Sequence, residues 1–147
     1  MSDNLILLVE DNPDDAELTM LALKQNNVGN AVKWVKDGAE ALDYLLCRGA
    51  YADRAGQAPP VLVLLDLKLP KIDGLEVLRQ MRADARARLT PVVILTSSAD
   101  DRDIAQAYGL GANSYVRKPV DFTQFREATR QLALYWLVLN QPPPKSG

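Results

Sequence analysis

Histidine is absent from all 147 residues of this chain. No imidazole can serve as general base, metal ligand or phosphohistidine donor. Any phosphoryl group handled here must therefore come from another molecule. A single cysteine, Cys47, excludes an internal disulfide and a multi-cysteine zinc site. It stands beside leucines in YLLCRG and is expected to be a small buried apolar residue, with no mark of a reactive thiol. The net charge of −2 and the isoelectric point near 5.1 leave no clustered basic face for non-specific nucleic-acid binding. No basic segment precedes the first apolar run, which stops at Glu10, so no secretory signal is expected. The longest uncharged apolar stretch, Leu132 to Leu139, falls far short of the ~20 residues of a membrane span. These absences predict a cytoplasmic chain that binds neither nucleic acid nor membrane. Gly109 and Gly111 precede a strand rather than follow one and make no nucleotide fingerprint. Asp11, Asn12, Asp14 and Asp15 make no calcium loop, because Pro13 breaks the spacing and the bidentate acid is missing.

What is present fits one domain, with enough core at this length to need no staple. Strand and helix patterns alternate five times. LILLV at 5–9 is followed by Asn12 as N-cap, Pro13 at the first helical position, and Asp14, Asp15 and Glu17 in the first turns. Leu18, Leu21 and Ala22 form the expected apolar face, and Gly29 the expected end, of this first helix. VKWV at 32–35 reads as a strand with Trp34 in packing, and Asp37-Gly38 opens AEALDYLLCR. Residues 49–60 read as a loop by composition. VLVLL at 61–65 is apolar throughout, as a strand buried on both faces should be. Asp73-Gly74 opens a third helix. PVVIL at 91–95, a thinly apolar fourth helix in DDRDIAQAY, NSYV at 113–116 and a helix from Asp121 to about Leu139 complete the pattern. Such alternation predicts a parallel, doubly wound (flavodoxin-like) α/β sheet with strand order 2-1-3-4-5. The expected domain spans 4–139, with an extended proline-rich tail at 140–147.

The strand ends carry the chemistry. LILLV runs into Glu10 and Asp11, VLVLL into Asp66, PVVIL into Thr96, and NSYV, one residue on, into Lys118. Ligands of such sheets sit beyond the carboxyl ends of the strands. Strands one and three are neighbours, so Glu10, Asp11 and Asp66 meet there. Three like charges this close repel and raise one another's pKa. A hard dication relieves that repulsion, and Mg2+ takes carboxylate and carbonyl oxygens; the backbone carbonyl of Lys68 is the expected fourth protein contribution. Lys118 can pair with Asp66 at rest and with a phosphoryl oxygen after transfer, and Thr96 can offer its hydroxyl to another.

The segments LVEDNPDD, LLDLKLPKIDG, PVVILTSS and SYVRKP resemble the receiver domain of two-component response regulators. The resemblance covers about 4–136. It implies that Asp66 is the phosphoacceptor, that Glu10 and Asp11 bind the metal, that Thr96 and Tyr115 are the switch pair, and that Lys118 acts on the phosphoryl group. It also implies a cis Lys118–Pro119 bond. The long loop before the third strand, the LLDLKLPKIDG wording and a late tryptophan are similar to single-domain receivers of bacterial phytochromes. The implied donor is a phosphohistidine on a sensor histidine kinase, a phytochrome by this likeness. The only catalysis implied is the chain's own phosphorylation and dephosphorylation, so it is not expected to be an enzyme. With no effector domain in the sequence, output is expected through protein contact or onward phosphotransfer.

The last helix carries a further expectation. Phe122, Phe125, Thr129, Leu132, Ala133 and Trp136 share one face, yet LALYWLVL is apolar all round. The excess, including Tyr135, Val138 and Leu139, predicts a homodimer through the fourth helix, fifth strand, fifth helix and this apolar segment. Three rival readings remain. A haloacid-dehalogenase-type phosphatase needs a second acid where Lys68 stands. A flavodoxin-like cofactor binder would not place the acidic EDNPDD where phosphate binds. A phosphorylation-independent interaction module with the same fold stays the serious alternative.

Overall fold

A computed structural model describes residues 5–26, 29–119 and 121–143. Five strands, β1 (Ile6–Val9), β2 (Val32–Val35), β3 (Leu62–Leu65), β4 (Val92–Thr96) and β5 (Ser114–Arg117), form one parallel sheet in the order β2-β1-β3-β4-β5. Five helices alternate with them: α1 (Pro13–Gln25), α2 (Gly38–Leu46), α3 (Gly74–Ala83), α4 (Asp101–Gly109) and α5 (Phe122–Leu134). The expected strand order and flavodoxin-like architecture are what the chain adopts.

Strand parity decides which residue faces which layer. Leu7, Val9, Val63, Leu65, Val92 and Ile94 pack with α2 and α3 on one face. Ile6, Leu8, Leu62, Leu64 and Val93 pack with Ala16 and Leu23 of α1 and Leu132 of α5 on the other. β1, β3 and β4 are buried along their whole length. Each such side chain contributes about 1.5–3 kcal/mol relative to exposure. Helix starts follow the cap residues: Asn12 accepts from the N–H groups of Asp14 and Asp15, Asp37 from Glu40, Asp73 from Glu76 and Asp121 from Thr123.

Several local expectations are corrected. α1 buries Ala16, Thr19, Ala22 and Leu23, whereas Leu18 and Leu21 are exposed. α1 packs against α5, and small residues allow that approach. α1 ends at Gln25, where the Asn26 N–H caps the carbonyls of Ala22 and Lys24, well before Gly29.

The segment Gly49–Gly56 is not a plain loop but a run of 3-10 turns with a kink at Tyr51. Buried Arg54 organises it, donating to the Tyr44 carbonyl and lying 3.6 Å over the Tyr44 ring. Cys47 is half-buried rather than buried. It ends α2 in a left-handed conformation (φ 57°), with its sulfur 3.5 Å from Arg54 Nη1.

The last helix stops being α-helical at Leu134. A wide π turn spans Tyr135–Leu139, closed by Asn140 N–H to the Tyr135 carbonyl at 2.6 Å. The extra residue turns Trp136 and Leu137 onto the core and leaves Tyr135, Val138 and Leu139 outside. Residue 4 and residues 144–147 of the expected domain and tail lie outside the described residues.

Candidate functional site

The site is built by register. Val9 lies level with Leu65 across the β1–β3 pair, so Glu10 and Asp66 leave adjacent strands side by side. The backbone holds both: Asp66 N–H donates to the Val9 carbonyl and Glu10 N–H to the Val35 carbonyl, each at 3.1 Å. Asp11 follows in the exposed turn. One carboxylate oxygen from each of Glu10, Asp11 and Asp66 can lie within 4.8 Å of the others. Glu10 and Asp66 are buried, which is costly for carboxylates without partners.

Their partner is Lys118. Its N–H donates to the Thr96 carbonyl at 2.7 Å, fixing the chain as it leaves β5. Its side chain is 8% exposed, and its ammonium donates to Glu10 Oε1, to Asp66 Oδ2 at 3.0 Å and to Asp15 Oδ2 at 3.0 Å. No peptide bond among the described residues is cis, so the Lys118–Pro119 bond is trans, correcting the expected cis bond. Trans is the ordinary preference before proline, and the three-carboxylate contact forms with it.

Charge states follow from this crowding. Burial pushes Glu10 up to about 7, and the Asp66 charge adds to the shift while Lys118 opposes it. Burial works against the Lys118 charge, but Glu10, Asp66 and Asp15 more than offset it, so its pKa is raised.

Around this core lie the other expected residues. Thr96 is fully buried, and its hydroxyl oxygen has no hydrogen-bond partner among the described residues. A buried hydroxyl without a partner is costly, and ligand oxygen is what it lacks. Tyr115 is half-buried, and its phenol donates to the Ser98 carbonyl at 2.9 Å. Lys68 N–H donates to Asp66 Oδ1 at 3.3 Å, while its ammonium reaches away to Asp103 at 3.9 Å. Ser98 O–H donates to the same Asp103 carboxylate at 2.6 Å.

Sequence reasoning missed three contributors. Asp15 reads as a helix-dipole acid but also accepts a hydrogen bond from the Lys118 ammonium. Trp34 does more than pack: its indole N–H donates to the Glu10 carbonyl at 2.8 Å. Gly74 lies against the phosphoacceptor candidate, since a Cβ there would stand 2.2 Å from the Asp66 carbonyl oxygen. The glycine of Asp73-Gly74 signalled a helix start, not this close approach.

Hard oxygen donors, a raised glutamate and an orphan hydroxyl beside them fit a divalent cation and a phosphoryl group. This defines a doubly wound protein with an acidic, lysine-bridged site at its strand ends. The family profile of the response regulator receiver domain matches residues 6–130, and the chain belongs to that family. Receiver domains are signalling modules of two-component systems that bind Mg2+ or Mn2+ at an acidic pocket.

Three relatives illustrate its neighbourhood. The structure of the phosphorylated cyanobacterial phytochrome response regulator RcpA is 38% identical, with a TM-score of 0.89 over 96% of this chain and 99% of that one. The bacteriophytochrome response regulator AtBRR is 50% identical, with a TM-score of 0.74 over 94% and 98%. A probable methanogenesis regulatory protein, FilR2 of Methanothrix harundinacea, is 42% identical over 95% of this chain and 87% of its own.

Proposed function

We propose that the chain is a stand-alone response regulator that accepts a phosphoryl group on Asp66 from a sensor histidine kinase of the bacterial phytochrome type, in a Mg2+-dependent reaction. One observation carries this reading: buried Lys118 bridges Asp66 to Glu10 beside a buried Thr96 hydroxyl that has no partner among the described residues. The likeness to the phytochrome response regulator RcpA and the bacteriophytochrome response regulator AtBRR supports the choice of kinase.

Glu10, Asp11, Asp66 and the Lys68 carbonyl would hold the magnesium. Bound there, it would neutralise charge on the phosphoryl oxygens. An Asp66 carboxylate oxygen attacks phosphorus in line; a new O–P bond forms as the P–N bond to the kinase histidine breaks. Lys118 turns the N–H that it donates to Asp66 at rest toward a phosphoryl oxygen. Thr96 donates its unused hydroxyl to another. The acyl phosphate carries about −2 charge and biases a two-state protein. Tyr115 leaves the Ser98 carbonyl and moves into the space that Thr96 vacates, and the α4–β5–α5 face changes.

The chain works in the cytoplasm, binds no nucleic acid and catalyses only its own modification. Its output is a protein contact or onward phosphotransfer. Residues 4–139 act as the receiver and 140–147 as a tail. Exposed Leu134, Tyr135, Val138 and Leu139 supply the apolar surface of a homodimer with the α4–β5–α5 face. Sedimentation showing only monomer at micromolar concentration, with and without phosphorylation, rejects the dimer.

The central test is intact mass after incubation with a small acyl-phosphate donor. One phosphoryl group should appear with magnesium, vanish with a chelator, and fail to appear in Asp66→Asn. Beryllofluoride with magnesium should change the tryptophan fluorescence; silence in both assays favours the phosphorylation-independent module. Transfer from a kinase panel with and without phytochromes decides the partner.

A further inference from the structure

The Lys118 ammonium has three protons and meets three carboxylates: Glu10, Asp66 and Asp15. Two of these have other duties in the reading above, on which this inference rests. Asp66 gives its oxygen to phosphorus, and Glu10 belongs to the acid cluster that could hold the cation. Asp15 is outside that cluster. It is the one of the three with nothing else to do when the site is loaded.

We infer that Asp15 is a positioning residue: it holds Lys118 while Glu10 turns to the metal and Asp66 becomes an acyl phosphate, so that a proton of Lys118 faces the phosphoryl group.

Local structure fixes Asp15 for this task. Its N–H donates to Asn12 Oδ1 at 3.2 Å, and its carbonyl accepts from the Thr19 hydroxyl at 2.8 Å. Asn12 in turn donates its own N–H to Glu10 Oε2 at 3.2 Å. The cap that starts α1 thus places Glu10 and Asp15 on the same ammonium. A buried ammonium left with one carboxylate fewer swings toward the remaining acids or loses its aim. Asp15 touches neither the phosphoryl group nor phosphorus; it acts through Lys118.

The plainer role for Asp15 is a dipole acid in the first turn of α1, a role shared by exposed Asp14. The two roles separate in a comparison of Asp15→Asn with Asp14→Asn in the full chain. The readouts are the rate of Asp66 phosphorylation at saturating acetyl phosphate and the Mg2+ affinity from Trp34 fluorescence, read in a Trp136→Phe background because the chain has two tryptophans. Trp34 reports the metal because its indole N–H holds the Glu10 carbonyl. Asp15→Asn, which keeps an acceptor oxygen but loses the charge that holds the ammonium, should slow phosphorylation about tenfold at saturating Mg2+, the usual scale for a weakened supporting contact. Its Mg2+ affinity should stay close to that of the parent protein, because Asp15 lies outside the acid cluster. Asp14→Asn should match the parent in both. If Asp15→Asn keeps pace with Asp14→Asn, or slows only in proportion to lost Mg2+ affinity, the positioning role is overturned. If the parent protein itself takes no phosphoryl group, it is the proposed function that fails, and the role of Asp15 with it.

Discussion

Two cations, one at each end of the sheet, are held in opposite ways. Lys118, beyond the carboxyl ends of the strands, is held by three side-chain carboxylates. Arg82, at the amino ends, is held mostly by backbone. It donates to the carbonyls of Ala87 (3.4 Å), Arg88 (3.1 Å), Thr90 (2.8 Å) and Gly111 (2.7 and 3.0 Å), and to Asn113 Oδ1 (3.0 Å). Asn113 Oδ1 also accepts from the Val92 N–H at the start of β4. Gly111 stands at φ +99°, where a Cβ would meet Arg82 Nε at 2.8 Å. Carbonyl dipoles neither titrate nor bind phosphate, so the Arg82 end is a fixed clamp. Carboxylates repel one another, titrate and exchange partners, so the Lys118 end can be rewired by a cation, a proton or a phosphoryl group.

Removing each cation should break this comparison in a different currency. Lys118→Met should slow phosphorylation of Asp66 about 100-fold or more, the usual cost of losing a donor aimed at developing negative charge. Stopped-flow or timed mass measurement reads this directly. The variant also leaves three acids without their cation, so its metal-free form should lose stability that Mg2+ restores. Arg82→Met should do the reverse. Denaturant melts should show a loss of about 2–3 kcal/mol, as expected for several charge-assisted bonds lost together. Mg2+ should not restore it, and the phosphorylation rate of the folded variant should be unchanged. A slow Arg82→Met would mean that the two ends are coupled after all.

The two ends also differ in how legible they were. Strand ends declare themselves because a buried apolar run must stop where a charge begins, which placed Glu10, Asp66, Thr96 and Lys118. Caps declare themselves because a short polar side chain before a helix has few other uses; Asn12 and Asp121 cap as expected, and Asp37 and Asp73, expected only to open their helices, cap them too. Periodicity alone could not choose the buried face of α1, because that face is built mostly of small residues, Ala16, Thr19 and Ala22, while Leu18 and Leu21 stay exposed. The clamp was invisible because backbone acceptors leave no mark in sequence. Arg54 and its 3-10 turns were invisible for a similar reason: composition showed a glycine- and alanine-rich loop, not a guanidinium stacked on Tyr44. Asp15 was legible as a first-turn acid but not as a partner of a lysine 103 residues away.

Acidity sharpens the contrast further. Glu10 is raised from 4.5 to about 7, chiefly by burial. Between those values the folded, metal-free protein holds a proton that the unfolded chain has released. Stability should therefore fall as pH rises from about 4.5 through about 7, by about 1–2 kcal/mol after allowing for solvent screening. The exposed acids Glu76 and Glu127, lowered to about 2 by their arginine partners, act below this window with the opposite sign. Urea melts of the metal-free protein across this range should show the decline. Glu10→Gln should flatten it and weaken Mg2+ binding. Arg82→Met should leave the slope as it is, since no carboxylate contacts that guanidinium among its hydrogen bonds.

Lys68 gives the smallest effect and the finest test of what makes an end rewirable. Its N–H already holds Asp66 Oδ1, but its ammonium is 74% exposed in side-chain terms and leans 3.9 Å from Asp103. An exposed pair at that distance contributes little, so little holds the ammonium there. An acyl phosphate on Asp66 competes for it, and a cation beside the phosphoryl group shields it from hydrolytic water. Lys68→Asn should therefore speed self-dephosphorylation about two- to fivefold, a difference worth about 1 kcal/mol or less. The gap should narrow in 1 M salt, because the interaction is screened while the buried Lys118 contacts are not. Decay of the phosphorylated protein followed by mass at low and high salt reads both quantities. Equal decay of Lys68→Asn and the parent at low salt would confine the rewirable charge to the buried ammonium, with the exposed one a bystander.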